Sequence, residues 1–493
     1  MIAFKNLIEI KRGGEQAVYL QIQNALIHLI QQGVLTSRLR LPGSRDMAVQ
    51  LSVHRKTVVA AYDELMSQGW IESVPSKGTF VSGQLPEVKP EGLVQEARFS
   101  ENAPFGFDRI EALHRIEPAL PSSLTLDEGT PDVRIAPVTE IFRHYRSVIS
   151  RKYNAKHLNY GPFYGDLSLR EVLVKHLQET RGLRCSVDQI LITRGSQMAM
   201  YLSSQLLHRE GGISIVGETN YIAASLTLEH AGAQVMQVSV DDKGLVTHEV
   251  EALCQEYIIR SVYVTSHHHH PTTVTMSAER RMHLVELSRE YGFAILEDDY
   301  DYDFHYQRAP LLPLISIASN GNVVYMGALC KIVAPAIRIG YMVAPKDFIA
   351  SAGHLRRIID RQGDAIMERS IAQMILQGDL QRHSRKALKL YHARRDHFCN
   401  LLSEHLSDYL SFKIPEGGMA IWALLRGDME WGKVAKDCKA KGLMIPDYKN
   451  YDQLGLGHNG LRLGFASLDF DEQKRVVEIL NEVLEAYEKR IKK

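Results

Sequence analysis

The 493 residues read as a multidomain chain: an N-terminal all-α winged helix-turn-helix unit, then an α/β domain that closes with a small α+β subdomain. Three observations predict this class. Helix-period stretches in the first 70 residues run into a short alternating segment, WIESVPSKGTFVS. Farther on, β-rich runs alternate with helical stretches, the pattern of a mostly parallel, helix-covered sheet. The length also exceeds what one hydrophobic core usually serves.

Residues 15–32 place Val18, Ile22, Leu26, Leu29 and Ile30 on one helical face, and Gly33 ends the pattern. Pro42, Gly43 and Ser44 break the chain, and Ser44 is expected to cap a short helix from Arg45 to about Leu51. Ser52 and Val53 make the turn. A third helix is expected from about Arg55 to Ser67, with Val58, Ala61, Tyr62 and Leu65 inward and Gly69 as its stop. The alternation either side of Pro75–Gly78 then reads as a two-stranded wing, so this unit spans 14–83.

Residues 84–122 are rich in Pro, Gly and Glu and read as a linker. The large domain is expected over 123–493. Its β-type runs are QILITRG, GISIVGE, QVMQVSV, RSVYVTS, FAILEDD and NVVYMGA, with helices near 197–208 and 278–291. The end, 416–493, mixes strands with a long terminal helix.

Hydrophobic content of 45% and charged content of 24% are ordinary globular values, and the formal charge of zero argues against a basic coat over the whole surface. The first 83 residues nevertheless hold 9 Lys+Arg against 6 Asp+Glu, a local excess of positive charge. Five scattered cysteines with no paired or zinc-type spacing read as free thiols, and no run approaches a membrane span or an export signal, so a cytoplasmic location is expected.

In a helix-turn-helix the start of the second motif helix lies in the major groove. The candidates for base edges are therefore His54, Arg55, Lys56 and Thr57, while Arg45 and the wing tip, Lys77 with Gly78, suit backbone or minor-groove contacts. The run RLRLPGSRDMAVQLSVHRKTVVAAYDELMSQGWIESVPSKGTFVS resembles the GntR family of bacterial regulators over about residues 14–83, which implies a double-stranded DNA operator as partner. Gly43 and His54 stand where that family usually shows serine.

The large domain carries, in chain order, the groups that pyridoxal 5'-phosphate requires. Gly195, Ser196 and Gln197 lie where a strand meets a helix whose free N–H groups suit a phosphate. Tyr221 can stack on the ring, Asp298 at a strand end can face the pyridine nitrogen, and Tyr300 can reach the ring hydroxyl. Lys331 supplies an amine, and Arg338 a phosphate or carboxylate contact.

The runs NYGPFYGDLSLREVLVKHLQETRGLRCSVDQILITRGSQMAM, ILEDDYDYDFHY, YMGALCKIVAPAIRIGYMVAP and LRLGFASL resemble fold-type I aminotransferases over about residues 124–488. By position, the resemblance implies Lys331 as the Schiff-base lysine, Asp298 as pyridinium partner, Arg338 as phosphate arginine and Arg462 as the clamp for an effector or substrate carboxylate. Three departures stand out. Ala328 and Cys330 replace two hydroxyl residues of the usual GTFSK, His270 takes a position often held by Asn facing the ring hydroxyl, and Thr273 replaces Gly. No metal site is expected at His267–His270, since consecutive residues of a strand point to opposite faces.

A GntR-like reader fused to such a domain is similar to the MocR (GabR-type) regulators. The resemblance implies a homodimer in which PLP forms an aldimine with Lys331 and either PLP or a small amino compound is sensed. The competing reading is a working PLP-dependent aminotransferase with an accessory DNA-binding domain, and whether the chain turns over as an enzyme is left open. A third is a DNA-binding protein with the large domain as a dimerisation scaffold.

Overall fold

The computed structural model describes residues 2–13, 16–85, 102–103, 105–107, 124–150, 158–306, 311–318, 321–452 and 455–492. They fall into two compact units, Met1–Arg109 and Ile110–Lys493, and most of the expected linker 84–122 lies outside the described residues.

In the first unit, helices Val18–Gln31, Ser44–Gln50 and Arg55–Ser67 precede antiparallel strands Ile71–Val74 and Gly78–Val81. Ile22, Leu26, Leu29 and Ile30 recur at helical spacing and pack into one core with Val58, Ala61, Tyr62 and Leu65 of the third helix. Each fully buried leucine there contributes about 1.5–3 kcal/mol, so Leu65→Ala would loosen the whole unit. Gly69 ends the third helix at φ +78°, a left-handed conformation that costs glycine nothing. Phe4 and Ile8 are buried in the same core.

Two details differ from expectation. The second helix begins at Ser44 itself, because Gly43 is extended and takes the cap position without a side-chain bond. Ser44 Oγ instead accepts from Arg55 Nε at 3.4 Å, and Asp46 supplies the negative charge that suits a helix start. The wing also gains a third edge. Leu41 N–H donates to Thr79 O and Val81 N–H to Leu39 O, both at 2.9 Å, so residues 39–41 run beside Gly78–Val81.

The second unit is built on a seven-stranded sheet. Its order is Ile190–Thr193, Gly340–Val343, Val323–Ala328, Ala294–Asp299, Ile259–Val264, Ile213–Gly217, Gln234–Val238. Gly340–Val343 runs antiparallel to both of its neighbours, whereas the other described pairings are parallel. Alternation along the strands sends Leu296, Val324 and Met326 to the face covered by helix Ser196–His208. Ile295 and Val323 point to the opposite face with Leu284 and Leu287 of helix Ala278–Tyr291.

The small subdomain is a three-stranded antiparallel sheet, Leu410–Phe412, Ala420–Leu425 and Gly460–Gly464, with helix Asp379–Leu406 packed along the terminal helix Phe470–Ile491. Leu124–Thr125 pairs in parallel with Leu443–Met444, which ties the beginning of the domain to this subdomain. Among the described residues no helix is long and apolar enough to cross a membrane.

Candidate functional site

The sheet brings its strand ends to one cavity of about 390 Å³. Ser196, Gln197, Tyr221, His270, Asp298, Tyr300, Lys331, Arg338 and Arg462 all line it, with Gly195, Ala328 and Cys330. This is the crevice beyond the carboxyl ends of the parallel strands, where open α/β sheets place ligands.

Asp298 is the penultimate residue of its strand, opposite Met326 on one neighbouring strand and two residues beyond the Leu296–Tyr263 pair on the other. The Tyr263 hydroxyl donates to Asp298 Oδ2 at 3.2 Å, and burial keeps that phenol protonated by raising its pKa well above the ordinary value. Asp298 Oδ1 is buried and has no hydrogen-bond partner. Burial pushes the carboxyl up to about 7. A buried carboxylate oxygen aimed into a cavity calls for a cationic donor.

Lys331 sits three residues past the strand Val323–Ala328, and its Nζ donates to Gly129 O at 2.9 Å. Burial lowers its pKa, which eases loss of the proton and exposes a nucleophilic lone pair. Tyr300 OH donates to His268 O at 3.0 Å and accepts from Arg462 Nη2 at 3.1 Å. Arg462, on the subdomain strand Gly460–Gly464, also donates from Nε to Glu128 O at 2.7 Å and from Nη1 to Pro271 O at 3.0 Å. Three anchors fix the guanidinium plane and leave further N–H donors for an anion.

At the other end of the cavity Gly195, at φ +76°, precedes helix Ser196–His208. Arg338 Nη2 donates to Arg194 O at 2.8 Å, and a Cβ on Gly195 would come within 2.8 Å of that guanidinium. Cys330 Sγ lies 3.9 Å from Arg338 Nη1, so the residue that replaces a hydroxyl holds the arginine instead. The Gln197 side chain donates to Thr227 Oγ1 at 2.9 Å, and its backbone N–H belongs to the first turn of the helix, where N–H groups lack intrahelical partners. A helix start, a glycine and a fixed arginine make an anion cradle.

The histidine run is not in a strand. It lies in the loop after Ile259–Val264, because Thr265 onward leaves the ladder. Each ring takes its own partner: His267 Nε2 the carbonyl of Leu311 at 2.5 Å, His268 Nδ1 Asp301 at 2.7 Å, His269 Nδ1 Thr272 at 2.9 Å. His270 packs edge-on to the Tyr221 ring at 5.2 Å, and its Nδ1 is buried without a partner. Burial drives the His270 pKa well below the ordinary value, so the ring is neutral. Thr273 has φ +64°, the conformation glycine would take there without strain.

Sequence reasoning did not single out Glu128, Thr130, Tyr263 or Thr265, which also line the cavity. Tyr263 was legible in principle, because it lies in a predicted strand beside the one that ends at Asp298.

In the winged unit, Arg45, His54, Arg55, Lys56, Lys77 and Gly78 are exposed and Thr57 is half-buried. His54 occupies the cap of the third helix, where its Nδ1 accepts from the Lys56 backbone N–H at 3.2 Å. The imidazole therefore replaces the cap that serine usually supplies. Arg38 and Arg40 were missed: both are exposed, and Arg40 Nε lies 3.3 Å from where a Cβ on Gly78 would stand.

Residues 18–81 match the family described as bacterial regulatory proteins, gntR family. The chain is 26% identical over 470 residues to the probable rhizopine catabolism regulatory protein MocR of Rhizobium meliloti, covering 94% of this chain and 93% of the relative. It is 25% identical to the pyridoxine biosynthesis transcriptional regulator PdxR of Corynebacterium glutamicum, with 93% and 94% covered. Among solved structures, the kynurenine aminotransferase of Pyrococcus horikoshii aligns with a TM-score of 0.70 and 27% identity, covering 77% of this chain and 97% of the other. The fold and the full-length likeness together define a DNA-binding regulator with an aminotransferase-fold domain. Over its whole length the chain is similar to MocR-type regulators, and residues 18–81 carry the gntR-family match.

Proposed function

We propose that this regulator holds pyridoxal 5'-phosphate in the cavity at Lys331 and couples the binding of PLP, or of an amino compound, to operator binding. The observation that carries the reading is the pairing of a buried, unpartnered Asp298 oxygen with the amine of Lys331 in one cavity that ends in an anion cradle. The donor set fits the cofactor: Asp298 for the ring nitrogen, Lys331 for the aldehyde, and Gly195, Ser196 and Arg338 for the phosphate. When bound, PLP supplies an aldehyde that condenses with primary amines and an electron-withdrawing ring.

The protein's own groups do the rest. Asp298 holds a proton at the ring nitrogen, Tyr221 gives the ring a face to stack on, and Arg462 binds the carboxylate of an incoming amino compound. The segment Asp127–Thr130 touches both ends of this event, since Gly129 O accepts from Lys331 and Glu128 O from Arg462. It follows the linker in the chain. A ligand that breaks one of these bonds changes the segment through which the large domain continues into the linker.

We also place two winged units on one operator, in a cytoplasmic homodimer, with base edges read by the start of helix Arg55–Ser67 and phosphates held by Arg45, Lys77 and the exposed Arg40. Operator binding followed by fluorescence anisotropy, with and without PLP and a panel of α- and ω-amino acids, tests the coupling. Wild type should respond and Lys331→Ala should not. An unchanged response in the variant would remove Lys331 from the mechanism.

A second reading, a working aminotransferase, is favoured by the 27% identity to a kynurenine aminotransferase and by the lowered pKa of Lys331. Steady-state assays with amino donors and a keto acid separate the two, because a sensor needs no repeated turnover.

A further inference from the structure

Outside the cavity, His248, Glu251 and His283 bring one ligand atom each to within 4.8 Å of one another on the surface of the large domain. His248 and Glu251 lie in the first turns of helix Thr247–Glu256, three residues apart and so on one face; His283 comes from helix Ala278–Tyr291, which packs against it. We propose that these three side chains form a divalent transition-metal site, with zinc the best-suited ion.

The two imidazoles converge on one carboxylate oxygen. His248 Nδ1 and His283 Nε2 both stand 3.5 Å from the same oxygen, Glu251 Oε2. That separation is long for a hydrogen bond. It is close to the span of about 3.4 Å between two ligands placed at about 2.1 Å from one tetrahedral ion. The imidazole rings are 4.9 Å apart, close enough to share an ion.

A neighbouring contact orients one of the rings. His283 Nδ1 lies 2.9 Å from the hydroxyl of buried Thr247, which orients the ring; in the tautomer that donates to this hydroxyl, the Nε2 lone pair faces Glu251. Two imidazoles and one carboxylate are the donor set of many zinc sites, and three protein ligands leave a fourth position for water or another ligand. The site would clamp the two helices that cover one face of the sheet.

Isothermal titration of the metal-stripped full chain with Zn²⁺ tests this, with wild type compared against His248→Ala/His283→Ala and Glu251→Gln. One site per chain is expected, weakened at least tenfold by Glu251→Gln and absent from the double variant. Circular dichroism and melting of the metal-free proteins should show the variants folded as wild type. Undiminished stoichiometry and affinity in the folded double variant, or no binding by wild type at millimolar Zn²⁺, would overturn the site. Because the residues are remote in chain and function from Lys331, PLP binding is measured in parallel and should not change in the double variant.

Discussion

Lys331 Nζ donates to the carbonyl of Gly129 at 2.9 Å, so the amine proposed to hold the cofactor is tied to the segment that follows the linker. Gly129 has φ +95°, and a Cβ there would lie 3.1 Å from the Ala420 side chain and 3.2 Å from the Met419 backbone. Gly129→Ala should therefore displace the segment while leaving Asp298 and Arg338 in place. PLP binding should persist within about threefold, and the operator response to amino compounds should fall at least fivefold, as read by anisotropy. An unaltered response would dissociate this segment from signalling.

Asp298 makes opposite demands on stability and binding. Its folded pKa is raised to about 7 from an ordinary value of 3.8, so the folded state keeps a proton that the unfolded state has lost between those values. Stability of the cofactor-free protein from this group is lost as pH rises from about 4 to about 7. At pH 8, cofactor-free Asp298→Asn should be more stable than wild type by on the order of 1–4 kcal/mol, and at pH 4 by little. PLP affinity should drop by 10-fold or more, since a charge-assisted bond of about 1.5–3 kcal/mol is lost. Denaturant melts at the two pH values, paired with equilibrium dialysis of PLP, check both signs.

Thr273 occupies a left-handed conformation at φ +64°, which costs a non-glycine residue about 1–2 kcal/mol. Glycine would relieve that strain but lose about 0.5–1 kcal/mol through its freer unfolded chain. Thr273→Gly should stabilise the protein by about 0.5–1 kcal/mol in chemical denaturation, and a destabilised variant would mean that the threonine side chain contributes contacts of its own.

His54 caps the third helix of the winged unit through the Lys56 N–H. His54→Ala should cost that unit about 1 kcal/mol, and His54→Ser should restore most of it, because serine caps well. Base preference, measured by selection from randomised duplexes, should shift in both if the imidazole also touches a base.

Arg55→Ala should relax base preference, whereas Lys77→Ala should weaken binding to every sequence and reduce the salt slope by about one unit. Equal effects on specificity and slope in filter-binding titrations would undo this division of roles.

Much of this architecture was legible in the chain. Arg55 and Ser67 bound the third helix as expected, since Val58, Ala61, Tyr62 and Leu65 repeat at helical spacing and Gly69 stops them. Lys331, Asp298 and Arg338 stood out because strand ends converge on a crevice, and the cavity does gather them. Strand direction was not legible: GYMV at 340–343 is a short apolar run like its neighbours, and only pairing reveals that it is reversed. The histidine run misled because loops with buried polar partners carry no periodicity, and only the contacts to Leu311, Asp301 and Thr272 show how each ring is held. Ser44 was misplaced by one position, because Gly43 is extended and takes the cap, which puts Ser44 in the first turn of the helix.

The measurement closest to the central claim is reduction of the PLP-treated full chain with borohydride, followed by peptide mass spectrometry. A pyridoxyl tag confined to the peptide carrying Lys331, and missing from Lys331→Ala, is the expected result. A tag on another lysine, or no tag at saturating PLP, would contradict it.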